Sequence, residues 1–251
     1  MSIERLQAAI REKRTPLALG LAPEIGKVSP KLRKNFEEMY GAGVMADAEA
    51  LRYHSCQALD AVQGKLPAVV LSAEHYLRYG MMGADVLSNL VSAAAARELY
   101  CIVDCRTTRP RLWLESGMAG DGLTVMPYVG GDCVAEATDK AMFAVVRTAN
   151  ESSGEVQSLI AGDRPLYAAL AQQMARRGAA LVVETGYSLD IKEVRRRAGD
   201  AFMLLPYCDG QNALPAFDDL GHGAMVVDYQ LADGGDVDAA IREMKVWVNV
   251  L

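Results

Sequence analysis

The chain has 251 residues, of which 51 % are apolar and 23 % charged, which is the make-up of a water-soluble globular protein with room for one sizeable core. A net charge of -6 and the lack of any Lys/Arg stripe argue against nucleic acid as the main partner, and the run Arg195-Arg196-Arg197 reads as a solvated helix face. No apolar stretch approaches the roughly 20 residues that a membrane span requires, and the five cysteines show no metal-ligand spacing, so a reducing, cytoplasmic setting is expected.

In chain order, the first ten residues read as the start of an amphipathic helix and not as a signal peptide. Eight short, near-continuous apolar runs follow, at 16–23, 67–73, 100–106, 122–128, 142–149, 179–185, 201–208 and 223–230. Runs of this kind suit parallel strands covered by helices. Between them, helical spacing predicts helices over 45–63, 165–177, 189–198 and 237–248. Eight strand–helix units in a chain of this length have the rhythm of a single-domain (β/α)8 TIM barrel spanning 1–251, and the lack of a GxGxxG turn argues against a doubly wound sheet. Two connections, 24–43 and 150–163, carry no clean period. They follow strands, so they are either lids over the active face or plain surface loops.

The segment Cys101-Ile-Val-Asp-Cys-Arg-Thr-Thr-Arg109 carries the clearest chemistry. Strand alternation puts Asp104 and Arg106 on one face and Cys101, Val103 and Cys105 on the other. In a barrel, charges at a strand's C-terminal end open onto the site. Asp104, Arg106 and Arg109 are therefore catalytic or anion-binding candidates, and a buried ion pair is the structural alternative. His75, directly after the second strand, is a candidate general acid or base. Acids stand at three further strand ends, Glu184, Asp209 and Asp228. They are candidates for a substrate's cationic end. A divalent metal there is the less favoured alternative, because no ligand motif supports it. Cys133 and Cys208 read as inert thiols, His54 as structural, and His222 as a bottom-face residue.

Several segments, taken in order, resemble the orotidine 5'-monophosphate decarboxylase family over nearly the whole chain. Pro16-Leu-Ala-Leu-Gly-Leu-Ala-Pro23 is similar to that family's opening "PLCVGLDP", Leu123-Thr-Val-Met-Pro-Tyr-Val-Gly130 to "LTVNPYLG", and Val146-Arg-Thr-Ala-Asn150 with Arg164-Pro-Leu-Tyr167 to "VRTSNP" and "RPLY". The resemblance implies the barrel, cofactor-free decarboxylation, and a homodimer with sites near the interface. The departures are as informative. The resemblance sets Asp104 on the first acid of "DAKRGDI", Arg106 on its lysine, Arg109 on its second acid, Val70 on a second lysine and Ala22 on the aspartate of "GLDP". A guanidinium is a poor proton donor. Of the implied phosphate loop only Gly210 and Gln211 remain, and the terminal arginine falls at Gln230, while Asn150 keeps its place. These residues lead us to expect a lyase-type enzyme acting on a small, non-phosphorylated, zwitterionic molecule without a cofactor, with Glu184, Asp209, Gln211, Asp228 and Asn150 lining the substrate. A non-catalytic scaffold is the alternative, and residual orotidylate decarboxylation the remote one.

Overall fold

The computed structural model describes residues 2–134 and 138–251. All eight apolar runs form strands, each shorter than its run except β3, which extends one residue beyond it: β1 Leu17–Leu21, β2 Ala68–Ser72, β3 Tyr100–Thr107, β4 Gly122–Val125, β5 Ala141–Arg147, β6 Ala180–Val183, β7 Met203–Pro206 and β8 Ala224–Asp228. They pair in parallel and close into a barrel, with β8 joined to β1 through Leu17 opposite Val226 and Leu19 opposite Asp228. The continuous hydrophobicity of each run follows from this closure, because both faces of every strand are covered.

Alternate residues serve the two layers. Ala18, Val70, Ile102, Phe143, Val145, Val182, Leu204, Met225 and Val227 fill the barrel interior. Leu19, Leu71, Val103, Leu123, Ala144, Leu181 and Leu205 face the helices, where they meet Leu59, Leu87, Leu90, Met174, Val194 and Met244. The amphipathic start is a helix, Ser2–Lys13, whose Leu6 and Ile10 join the interior layer and seal the bottom of the barrel.

The predicted helices are present as Val44–Val62, Leu166–Arg176, Ser188–Ala198 and Val237–Trp247, and Gly80–Ala96 adds a long one between β2 and β3. The connection 24–43 departs from the loop expectation, since it contains the helix Pro30–Tyr40. Ser29 caps it by accepting from the Leu32 N–H at 3.2 Å, Pro30 sits in its first turn, and Phe36 is its buried anchor. Leu32, Phe36, Met39 and Tyr40 recur at helical spacing along it, a short stripe of which only Phe36 is buried. The connection 150–163 holds the short helix Ser153–Gln157 and the first strand of a two-residue ribbon, Ile160–Ala161 with Arg164–Pro165.

The basic run also differs from expectation. Arg196 and Arg197 pair with Glu193 on the helix surface, but Arg195 turns inward and donates to the carbonyls of Gly199, Ala201, Ala216 and Gly223. It ties together the bottom turns before β7 and β8. Among the described residues, no helix is long and apolar enough to cross a membrane.

Candidate active site

The C-terminal ends of β3, β4 and β6 converge on one charged cluster. Past Val103 the register of β3 against β4 slips, and pairing resumes only at Thr107 opposite Val125. Within this bulge Arg106 takes φ 43°, a left-handed conformation costly for any residue with a Cβ. The kink is held from across the ladder. The Arg106 N–H donates to Thr124 Oγ1 at 2.8 Å, and that hydroxyl donates to Asp104 Oδ1 at 2.7 Å. Asp104 and Arg106 therefore do share the inner side, as alternation predicts.

The Arg106 guanidinium completes the cluster. Its Nη2 lies 3.4 Å from Asp104 Oδ2 and donates a short hydrogen bond to Glu184 Oε1. Glu184 follows β6 and is 4 % exposed, and its backbone N–H donates to the Arg147 carbonyl. Burial raises its carboxyl above the ordinary range; Arg106 pulls it down and Asp104 pushes it up, and the burial prevails. For Arg106 burial works against the charge, but Asp104 and Glu184 outweigh it and hold the guanidinium protonated. One cation is thus shared by two acids, one of which is inclined to keep a proton. Such a cluster can give or take a proton at Glu184, passing between a neutral state and one net negative charge.

The other candidate residues are placed separately. Arg109 is exposed, and its N–H donates to Thr107 Oγ1 in the turn before the helix Pro110–Glu115; among the described residues its guanidinium has no ion-pair partner. His75 stands at the end of β2, in the helix Ala73–Leu77, with Nδ1 on Ser72 Oγ at 2.8 Å. Asp209 caps the turn Gly210–Ala213 through Asn212, which lowers its carboxyl, and Gln211 is exposed beside it. Asp228 accepts from the Gln230 N–H at 2.7 Å. Asn150 is exposed and accepts from Thr148 Oγ1, and Gln157 buttresses that loop through the Thr148 N–H and hydroxyl. Among the described residues, no three His, Cys, Asp or Glu side chains converge as metal ligands. Glu184, Asp209 and Asp228 act in separate settings and not as one acidic wall. Burial pushes the Cys208 thiol up to about 12 and also raises Cys133, so neither favours the thiolate.

Three participants were not singled out from the sequence. Thr124 could have been, since alternation in β4 turns it inward with Gly122. Tyr207 and Tyr229 stack at the mouth with ring centroids 5.1 Å apart. Their partnership depends on two strand ends meeting, which no local pattern shows.

No protein-family model matches the chain. Among curated proteins it is similar to the orotidine 5'-phosphate decarboxylase of Thermomicrobium roseum, with 27 % identity over 220 residues covering 81 % of this chain and 74 % of that one. It is also similar to the enzyme of the same name from Rhodopirellula baltica, 25 % identical over 258 residues covering 88 % and 84 %. These similarities support membership of the orotidine 5'-phosphate decarboxylase family. Solved members share its fold: the OMP decarboxylase of Leishmania donovani superposes with a TM-score of 0.78 at 23 % identity over 97 % of this chain and 95 % of that one. A Toxoplasma gondii protein described as a putative orotidine-monophosphate decarboxylase gives 0.81 at 20 % identity over 95 % and 92 %. The charged cluster stands at the C-terminal ends of the barrel strands, the face on which sites of this fold are built. The substrate is a matter for the side chains there.

Proposed function

We propose that this member of the orotidine 5'-phosphate decarboxylase family is a lyase-type enzyme on a small, non-phosphorylated substrate that carries a cationic group and a carboxylate. The observation that carries the reading is the state of Arg106: its guanidinium is already shared by Asp104 and Glu184. Arg147, at the end of β5, is likewise tied to Asp190 at 3.1 Å. Neither offers the uncompensated positive charge that a phosphate monoester requires. A substrate amine finds its anionic partner in Asp104, and its carboxylate meets the outer edge of Arg106 and the exposed Arg109.

In this reading Glu184 is the proton donor, to the carbanion or enolate left when a C–C bond breaks and carbon dioxide or a carbonyl fragment departs, or to the amine that leaves with the bonding pair when a C–N bond breaks. A buried carboxyl with a raised pKa suits that role better than a guanidinium. Asp104, fixed by Thr124, positions Arg106, and His75 is the second acid–base group. Asn150, Asp209, Gln211 and Asp228 lie on the rim as polar contacts. The reading invokes no cofactor and places the protein as a homodimer in the cytoplasm.

The test is direct. Purified protein is incubated with orotidine 5'-monophosphate and its absorbance followed; no loss is expected, and turnover would overturn the proposal in favour of the activity its relatives are named for. Screening amine-bearing carboxylates for product release then tests the positive half. The stacked tyrosines that narrow the mouth favour a second reading, a binding protein without chemistry. If Glu184→Gln and Asp104→Asn alter stability but leave every turnover unchanged, that reading replaces the first.

A further inference from the structure

β8 sends Met225 and Val227 into the barrel interior, and the same alternation brings Tyr229 to the top of that layer, where it packs against it. The ring lies across the end of β1. A Cβ added at Gly20 would stand 2.5 Å from Tyr229 Cδ1 and 2.6 Å from Cγ, closer than side-chain carbons come. Glycine at position 20 is therefore the seat of the ring. Its other face is covered by Tyr207, with the ring planes 13° apart. Tyr207 is the first residue after β7 and takes φ 60°, a strained conformation for a side chain of this size.

The two rings face different surroundings on their two sides. Toward the barrel axis, the Tyr229 phenol belongs electrostatically to the charged cluster: burial first, then Asp104, Tyr207 and Glu184 oppose its ionisation, and Arg106 favours it. On the far side, Tyr207 and Tyr229 wall a cleft of about 460 Å³ between the ends of β7 and β8 and the last helix, lined also by Asp209, Asp228, Glu243 and Trp247.

We infer that Tyr229 is the specificity-determining residue of the mouth. Seated on Gly20 and held by Tyr207, its ring is a partition between the Asp104–Arg106–Glu184 cluster and the cleft beside the last helix. It confines ligands of the cluster to molecules the size of one chamber and bars elongated ones that would run from the cluster into the cleft. The inference rests on the proposed reading of the cluster as a ligand site, but its tests use binding and stability alone.

Tyr229→Ala opens a space shaped for a phenol between Gly20 and Tyr207, and a free phenol refills it as small aromatics refill large-to-small cavities. We expect the variant to bind 4-methylphenol saturably, with a rise in melting temperature, at least about tenfold more tightly than the wild type, and to bind 4-phenylphenol with the same preference. Equal affinity of the wild type for 4-phenylphenol, or no binding of either phenol by the variant, overturns the inference. Because Tyr229→Ala could fold poorly, a second arm uses Gly20→Ala, whose new methyl meets the ring. It should lower the urea midpoint in the wild type and have a clearly smaller effect beside Tyr229→Ala, a coupling expected of residues in contact. Additive effects of the two substitutions refute the seat. Turnover of orotidine 5'-monophosphate would remove the proposed function and leave these couplings as measured.

Discussion

Replacing Arg106 with methionine isolates what the guanidinium does. Methionine keeps an unbranched stem and meets the same left-handed backbone, so the change is chiefly one of charge. Asp104 and Glu184 both reach the same nitrogen, and without it their carboxylates face each other uncompensated, no more than about 6 Å apart. At an effective dielectric of about 20 the repulsion is about 3 kcal/mol. Breaking a buried pair costs about 3–5 kcal/mol in general, and the 38 % exposure of the Arg106 side chain argues for the low end.

Protonation limits the loss. Glu184 is held above its unfolded value, so the stability it permits is full below that value, near 4.3, and is lost as pH rises through the folded pKa. Arg106→Met moves the folded value higher still and extends that window upward. Neutralising one carboxyl costs about 1 kcal/mol near pH 5 but about 4 kcal/mol near pH 7.5, where the repulsion is the cheaper outcome. Urea unfolding followed by circular dichroism should therefore show the variant destabilised by about 3 kcal/mol near pH 7.5 and by about 1 kcal/mol near pH 5. A loss that is the same at both values, or no loss near pH 7.5, refutes the shared-cation account.

Thr124→Val removes the acceptor of the Arg106 N–H and a donor to Asp104 while keeping shape, and should cost about 1–3 kcal/mol in urea unfolding, with Thr124→Ser close to wild type. Arg195→Met leaves four bottom-face carbonyls without their shared donor; about 3 kcal/mol is expected, together with faster amide exchange in the turns before β7 and β8. Cys208, 8 % exposed and with its thiol near 12, should react with iodoacetamide near pH 7.5 at least about a hundredfold more slowly than free cysteine, as mass spectrometry can follow. Rapid labelling of the folded protein would contradict that placement.

The eight strands were legible because barrel closure buries both faces, and unbroken apolar runs are the direct trace of that burial. Asp104 and Arg106 were legible as inward-facing for the same local reason, a period of two along one strand, and Glu184 as an acid at a strand end. What the acids and arginines do for one another was not. Arg109 read as a catalytic or anion-binding candidate and Asp209 as a substrate-binding acid, yet one lies exposed ahead of a short helix and the other is occupied as a cap. Arg195 read as solvated, although its partners are carbonyls of turns that come together only in the closed barrel.

The same limit governs the mouth. Local spacing determines which face a side chain takes, because that depends on the backbone period. Closure alone brings β8 beside β1, sets the Tyr229 ring on Gly20 and Tyr207 over it, and gathers Asp104, Thr124 and Glu184 from three strand ends around Arg106, the acids on its guanidinium and the threonine on its backbone N–H. Those pairings depend on distances between residues far apart in the chain, and one-dimensional periodicity carries no record of them.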